Sequence, residues 1–289
     1  MGKVKIAIKS IWGILVYPLL YYITSTVIGF IWGWITGFYI GFTTILQGHP
    51  ASIEEIEEAI MAAVDFRIIA LISCLITFFI VWLINHKVWK NTKFWNYSGV
   101  AVTTMLLCAV FGLLFNQVVM SGLYYVGLFT LYIGHQDFLT DLMRGNFLMA
   151  IFVVALVMPF VEEVIFRGVV LRRLLNCTST EGALVIHALI FAVVHGDFTQ
   201  GLYAFFLGLV LGWAYMKFNN IWVPIIMHMA FNLYGVLFAN RAGIFEPSSA
   251  VFILMTVVAV IACILLGVLL MKRYNNIPDL IIDENIEES

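Results

Sequence analysis

The side chains best suited to chemistry lie in the second half of the chain. Glu162, Glu163 and Arg167 occur in VEEVIFRGVVLRRLL, His195 in FAVVH, and His228 and Asn232 in HMAFN. Carboxylates and imidazoles take protons from water, and amide or guanidinium N–H groups stabilise an oxyanion, so the set suits hydrolysis by an activated water. Glu163 and Arg167 are four residues apart, as are Phe191 and His195, and His228 and Asn232. On a helix that spacing puts each pair on one face. Glu162 with His195 and His228 is also a zinc-type set of one carboxylate and two imidazoles, although no HExxH occurs. Glu163 is expected to meet Arg167 one turn on, which leaves Glu162 without a partner on its own helix and free to hold water; the opposite division between the two acids stays open.

These groups sit in apolar surroundings. The glutamates directly follow FLMAIFVVALVMPF. A charge at bilayer depth costs at least about 2.5–3.5 kcal/mol on insertion scales, so such residues face protein or water and mark function. The chain has 289 residues, 63% hydrophobic and 11% charged. Soluble domains are about 25% charged, so the composition indicates an all-α polytopic membrane protein. With 15 Lys and Arg against 17 Asp and Glu, no basic excess points to nucleic acid. Cys74, Cys108, Cys177 and Cys263 are scattered and form no CxxC pair, which gives no disulfide framework and no thiolate metal site.

A span needs about 20 mostly apolar residues. Eight are expected: Ile11–Gln47, Phe66–Asn85, Gly99–Phe129, Asn146–Leu175, Gly182–Gly196, Gly201–Met216, Trp222–Ala239 and Ala250–Met271. The first run has no charge and no polar turn, and reads as one retained span rather than a cleaved signal or two spans. Between the first two spans, SIEE looks like a helix cap opening a short amphipathic surface helix within Gly48–Asp65. A polar loop is expected at Tyr132–Arg144. The chain is read as one integral membrane domain over 1–289. Residues 1–147 hold spans one to three, 148–240 the motif-bearing spans four to seven, 241–274 the last span, and 275–289 a polar tail. With both termini cytoplasmic, Lys3, Lys5, Lys9, Lys87, Lys90, Lys93, Arg172, Arg173, Lys217, Lys272 and Arg273 fall inside, against Arg67, Arg144 and Arg241 outside. That follows the positive-inside rule, and a bacterial plasma membrane is the expected location.

EEVIFR, FAVVH and HMAFN, in that order on three late spans, resemble the three motifs of the CAAX protease and bacteriocin-processing (CPBP, or Abi) family of intramembrane proteases. The resemblance covers roughly Pro159–Asn232, and the first three spans match only as hydrophobic helices. It implies an endopeptidase that cuts a membrane-associated peptide or protein within or near the bilayer. It also implies roles: Glu162 as base with His195, Glu163 and Arg167 as orienting groups, His228 as a second water or metal partner, and Asn232 as oxyanion donor. A divalent metal such as zinc on Glu162, His195 and His228, or water activation without metal, both fit the family. Oligomeric state is left open.

Two other function classes share these features. A non-catalytic bacteriocin immunity or binding protein would keep the fold and not need Glu162. A proton-coupled transporter also buries ionisable groups, but the chain shows no inverted repeat and no pair of broken helices. Around the motifs, His187 reads as an interhelical hydrogen-bonder and His49, His86 and His135 as ordinary loop residues. Gly168 is expected to admit another backbone. Gly201, Gly208 and Gly212 are expected to allow close helix packing. Pro159 is expected to free a carbonyl and kink its span. Asp197 and Gln200 either line the mouth of the site or sit in water.

Overall fold

The computed structural model describes residues 2–48, 52–63, 65–91, 94–95, 99–128, 146–239 and 249–273. Among these residues all regular structure is helical. The helices are α1 (Gly2–Leu46), α2 (Ile53–Ala63), α3 (Phe66–Asn91), α4 (Val102–Tyr125), α5 (Phe147–Leu175), α6 (Thr180–Val193), α7 (Phe198–Phe218), α8 (Trp222–Ala239) and α9 (Ala250–Arg273). Among the described residues α1, α3, α4, α5, α7 and α9 are long and apolar enough to cross a membrane. The protein is a multi-pass, all-α membrane protein. The helices expected as fifth and seventh spans, α6 and α8, are the two shorter apolar ones. α6 has 14 residues, about 21 Å of helix against a hydrocarbon core of about 30 Å. The expected polar loop, the polar tail, His49 and His135 lie outside the described residues.

The first apolar run is one unbroken helix of 45 residues. α1 lies antiparallel to α3: Asn85 Nδ2 donates to the Tyr17 hydroxyl at 3.3 Å, and the Thr24 and Thr77 hydroxyls meet at 2.8 Å. In that register α1 outruns the start of α3 by about ten residues. The short α2 folds back over this overhang, with Ile60 against Gly37. Its capping box forms as expected, with Glu55 N–H donating to Ser52 Oγ at 3.2 Å and Ser52 N–H to Glu55 Oε2 at 2.8 Å.

α5 is the central strut. Asn146 caps it, Oδ1 accepting from the N–H groups of Leu148 and Met149, and Arg67 at the head of α3 donates to the Asn146 carbonyl at 3.2 Å. Within α5, residues Ile151–Val157 and Phe166–Leu171 are wound as π-helix. Such wider turns are rare and concentrate at functional sites. The α-helical turns between them carry both glutamates.

Small residues set how closely the partners approach. A Cβ on Gly201 or Gly208 would lie 3.0 Å from the Ala192 carbonyl or 3.1 Å from Ala188 Cα, so α7 is drawn onto α6 as expected. α4 supports α8 in the same way. A Cβ on Gly112 would collide with the Met227 carbonyl oxygen, and Asn116 Nδ2 donates to the Phe231 carbonyl at 3.0 Å. Gly168 differs from its expected role. What it admits is the ring of Phe94, which would lie 2.6 Å from a Cβ at this position, and not a backbone. That ring belongs to an aromatic cluster with Trp89, Trp95, Phe160 and Trp222 that packs beside the glutamate turn.

Candidate active site

Glu163 and Arg167 form the ion pair that their spacing called for. Arg167 Nη1 donates to Glu163 Oε1 at 2.7 Å, with both side chains wholly buried. A buried pair is stable only when further contacts compensate its desolvation. Arg167 Nη2 reaches the Gly208 carbonyl at 3.4 Å, and its guanidinium carbon lies 4.8 Å from the centre of the Phe191 ring. Glu163 Oε1 also meets His228 Nδ1 at 2.7 Å. One carboxylate oxygen therefore joins α5 to α8.

That bond sets the chemistry of the other imidazole nitrogen. A carboxylate only accepts, so Nδ1 carries a proton, and in a neutral ring that tautomer leaves the Nε2 lone pair free. Nε2 faces Glu162 Oε2 at 3.7 Å, beyond hydrogen-bond range. Glu162 is the more accessible acid, its side chain 14% exposed against 0% for Glu163. With the ring in that form, one water set to the side of the line joining the two atoms can donate a hydrogen to each. Tyr21 of α1, Cys74 of α3 and Tyr203 of α7 all lie within electrostatic reach of Glu162. Sequence reasoning missed these three because each is an unremarkable member of an apolar run.

His195 lies just past α6, where the chain turns through Gly196 at φ +71°. A helix that ends inside a membrane leaves carbonyls needing donors. His195 Nδ1 supplies one, donating to the Phe191 carbonyl at 2.6 Å, which leaves Nε2 as an acceptor. The Phe191 ring stands edge-on to both imidazoles, at 4.8 Å from His195 and 5.9 Å from His228. With Arg167 over the same ring, Phe191 is the apolar hub of the site, a role hidden in the sequence behind its helical register with His195.

The structure thus brings Glu162, Glu163, Arg167 and His228 together directly, with His195 joined through Phe191. Asn232 sits one turn beyond His228, its Nδ2 donating to the Val154 carbonyl of α5 at 3.0 Å. His187 is fully buried between Phe166 and Gly212. Among the described residues neither of its ring nitrogens has a partner in hydrogen-bond geometry, so it is not the interhelical hydrogen-bonder expected. Asp197 caps α7, Oδ1 accepting from the Gln200 N–H at 2.5 Å. His86 bonds its own helix at the Leu83 carbonyl and is ordinary, as expected.

Residues 144–234 match the family model described as Type II CAAX prenyl endopeptidase Rce1-like. The chain is 30% identical over 179 residues to YdiL of Bacillus subtilis (strain 168), provisionally named a membrane peptidase, a match covering 60% of this chain and 70% of that protein. This chain belongs to the Rce1-like CAAX protease family. It is also 34% identical over 94 residues to the membrane-embedded CAAX protease MroQ of Staphylococcus aureus (strain USA300), covering 30% of this chain and 38% of that protein. No solved structure matches it. The family match begins just ahead of α5 and ends within α8, so in this Rce1-like chain it takes in every helix that carries a motif. α1, α3 and α4 fall outside the match; α1 and α3 pack against α5, and α4 packs against α8.

Membership of this peptidase family leaves the metal to be tested against geometry. Among the described residues no group of three or more His, Cys, Asp or Glu side chains is placed to hold a metal ion. Glu162, His195 and His228, the zinc-type set offered by composition, do not converge on one point, although the Glu163 bond at Nδ1 leaves His228 Nε2 free as a ligand atom. As placed, the described side chains form no three-ligand site, and no step below passes through a metal.

Proposed function

We propose that this chain is an intramembrane endopeptidase whose nucleophilic water is held between Glu162 and His228. The observation that carries this is the separation of 3.7 Å between Glu162 Oε2 and His228 Nε2 in a largely buried site. A water bridging them donates both hydrogens and turns a lone pair outward. As it attacks the scissile carbonyl carbon, Glu162 takes one of its protons and returns it to the departing amine. Glu163 keeps His228 in the required tautomer, and Arg167 holds Glu163 in place. Nδ2 of Asn232 has a second hydrogen beyond the one given to Val154, and this serves the oxyanion. His195 offers a further imidazole acceptor against the same Phe191 ring.

The family description and the name of the Staphylococcus relative indicate a CAAX-type substrate, so the probe is a peptide ending in a farnesylated Cys-a-a-X sequence, alongside its unlipidated counterpart. Purified full-length protein in lipid nanodiscs is expected to cleave at least one of them. Cleavage of both equally places specificity in the peptide, and cleavage of neither by well-folded protein removes the reading.

A further inference from the structure

α5 changes register just before the glutamates, and the change leaves one carbonyl open. Over Ile151–Val157 the helix is π-wound, and the Met158 N–H bonds the Val153 carbonyl five residues back. The next rung in that register would run from residue 159 to Val154. Residue 159 is proline and has no N–H. In ordinary α-helical register Val154 would accept from Met158 instead, but that N–H is directed to Val153. The Val154 carbonyl therefore has no donor from these rungs, in a setting where an unsatisfied carbonyl is costly. Asn232 Nδ2 fills the vacancy at 3.0 Å from α8. The carbonyl freed by Pro159 is thus Val154, one residue earlier than an unbroken α-helix would give, because of the π-turn.

A planar amide held at one hydrogen has the direction of its other hydrogen and of its oxygen fixed as well. We propose that the Pro159–Val154 gap is a positioning element of the active site: the open carbonyl sets the amide plane of Asn232, so the helix that carries Glu162 also aims the donor on α8. Val154 and Pro159 touch no substrate and act through Asn232. The inference rests on the hydrolase reading for its consequence, but the contact itself is measurable without turnover.

The test uses full-length protein in lipid nanodiscs and the cleaved peptide. Pro159→Ala restores an N–H at the position facing Val154 and releases Asn232. Its unfolding midpoint is expected to equal or exceed that of the parent, because an interior helix proline is removed, while kcat falls at least tenfold with KM within twofold. A purely structural proline would give activity that follows stability, and an unchanged kcat overturns the positioning role. The second arm reads melting alone. Asn232→Ala is expected to lower the midpoint by several degrees in the parent, where it strands the Val154 carbonyl, and by less than half as much in the Pro159→Ala background. Equal drops in the two backgrounds overturn the proposal. If the parent cleaves neither probe, the hydrolase reading fails, and the melting arm still decides the contact.

Discussion

His228 closes on Glu163 at 2.7 Å through Nδ1 and stops 3.7 Å short of Glu162 at Nε2. The two adjacent glutamates thus meet the two nitrogens of one ring, one in hydrogen-bond contact and one at 3.7 Å. Asparagine and glutamine separate these functions, since their amide nitrogens fall near the positions of Nδ1 and Nε2. His228→Asn is expected to keep the bond to Glu163 and melt close to the parent, while losing about 10²-fold or more in kcat. His228→Gln is expected to lose the Glu163 contact and melt lower. Equal melting losses in the two variants would show that the Glu163 bond does not hold α8.

Glu163 and Arg167 compensate one another at full burial. Removing one partner of such a pair costs about 3–5 kcal/mol, because the survivor is a buried uncompensated charge. Arg167→Ala should therefore lower the unfolding midpoint strongly. Replacing both, Glu163→Leu with Arg167→Met, should recover much of the stability and none of the activity, since His228 then has nothing to fix its tautomer. Thermal unfolding and peptide cleavage on the same preparations check both statements. Recovery of activity in the double variant would contradict the orienting role of Glu163.

Metal dependence gives an independent check. The described side chains do not converge on a three-ligand site. Purified protein is expected to carry substoichiometric zinc by elemental analysis and to keep its cleavage rate within about twofold after dialysis against a strong chelator, whereas loss of a catalytic metal would forfeit the several kcal/mol such an ion supplies. Stoichiometric metal with chelator-sensitive turnover would overturn the metal-free mechanism.

Gly112 offers a test outside the catalytic groups themselves. A Cβ there would run into the Met227 carbonyl oxygen, next to His228 in α8. Backbone cannot yield there as a side chain would, so Gly112→Ala should cost about 1–3 kcal/mol of stability by overpacking. It should also lower kcat by displacing His228 from the glutamates. Wild-type melting and turnover in this variant would mean that α4 does not set the depth of α8.

Much of this site was legible because helical periodicity is local. The Glu163–Arg167 pair follows from a spacing of four, and the expected span Trp222–Ala239 coincides with α8. The cap on α2 was also visible, since Ser52 and Glu55 act on adjacent backbone. What sequence could not show depends on which helices touch. Glu162 was expected to act with His195, with His228 as a second water or metal partner, and spacing within each motif could not show that the imidazole lying 3.7 Å from Glu162 is that of His228. The π-turns of α5 were invisible for the same reason: the Val154 carbonyl is satisfied by a side chain 78 residues away. Gly168 shows that a glycine signals a close neighbour without saying whether it is backbone or, as here, the Phe94 ring. The tyrosines near Glu162 carry no motif at all.

The most direct test of water activation by Glu162 is a single-turnover cleavage measurement on Glu162→Gln in lipid nanodiscs. Glutamine keeps the size of the side chain and can still touch the water, but it cannot take its proton. The rate is expected to fall by about 10²–10⁴-fold, the usual contribution of a positioned general base, with peptide binding and unfolding midpoint close to the parent. A Glu162→Gln protein that cleaves at the parent rate would contradict the assignment of Glu162 as the base.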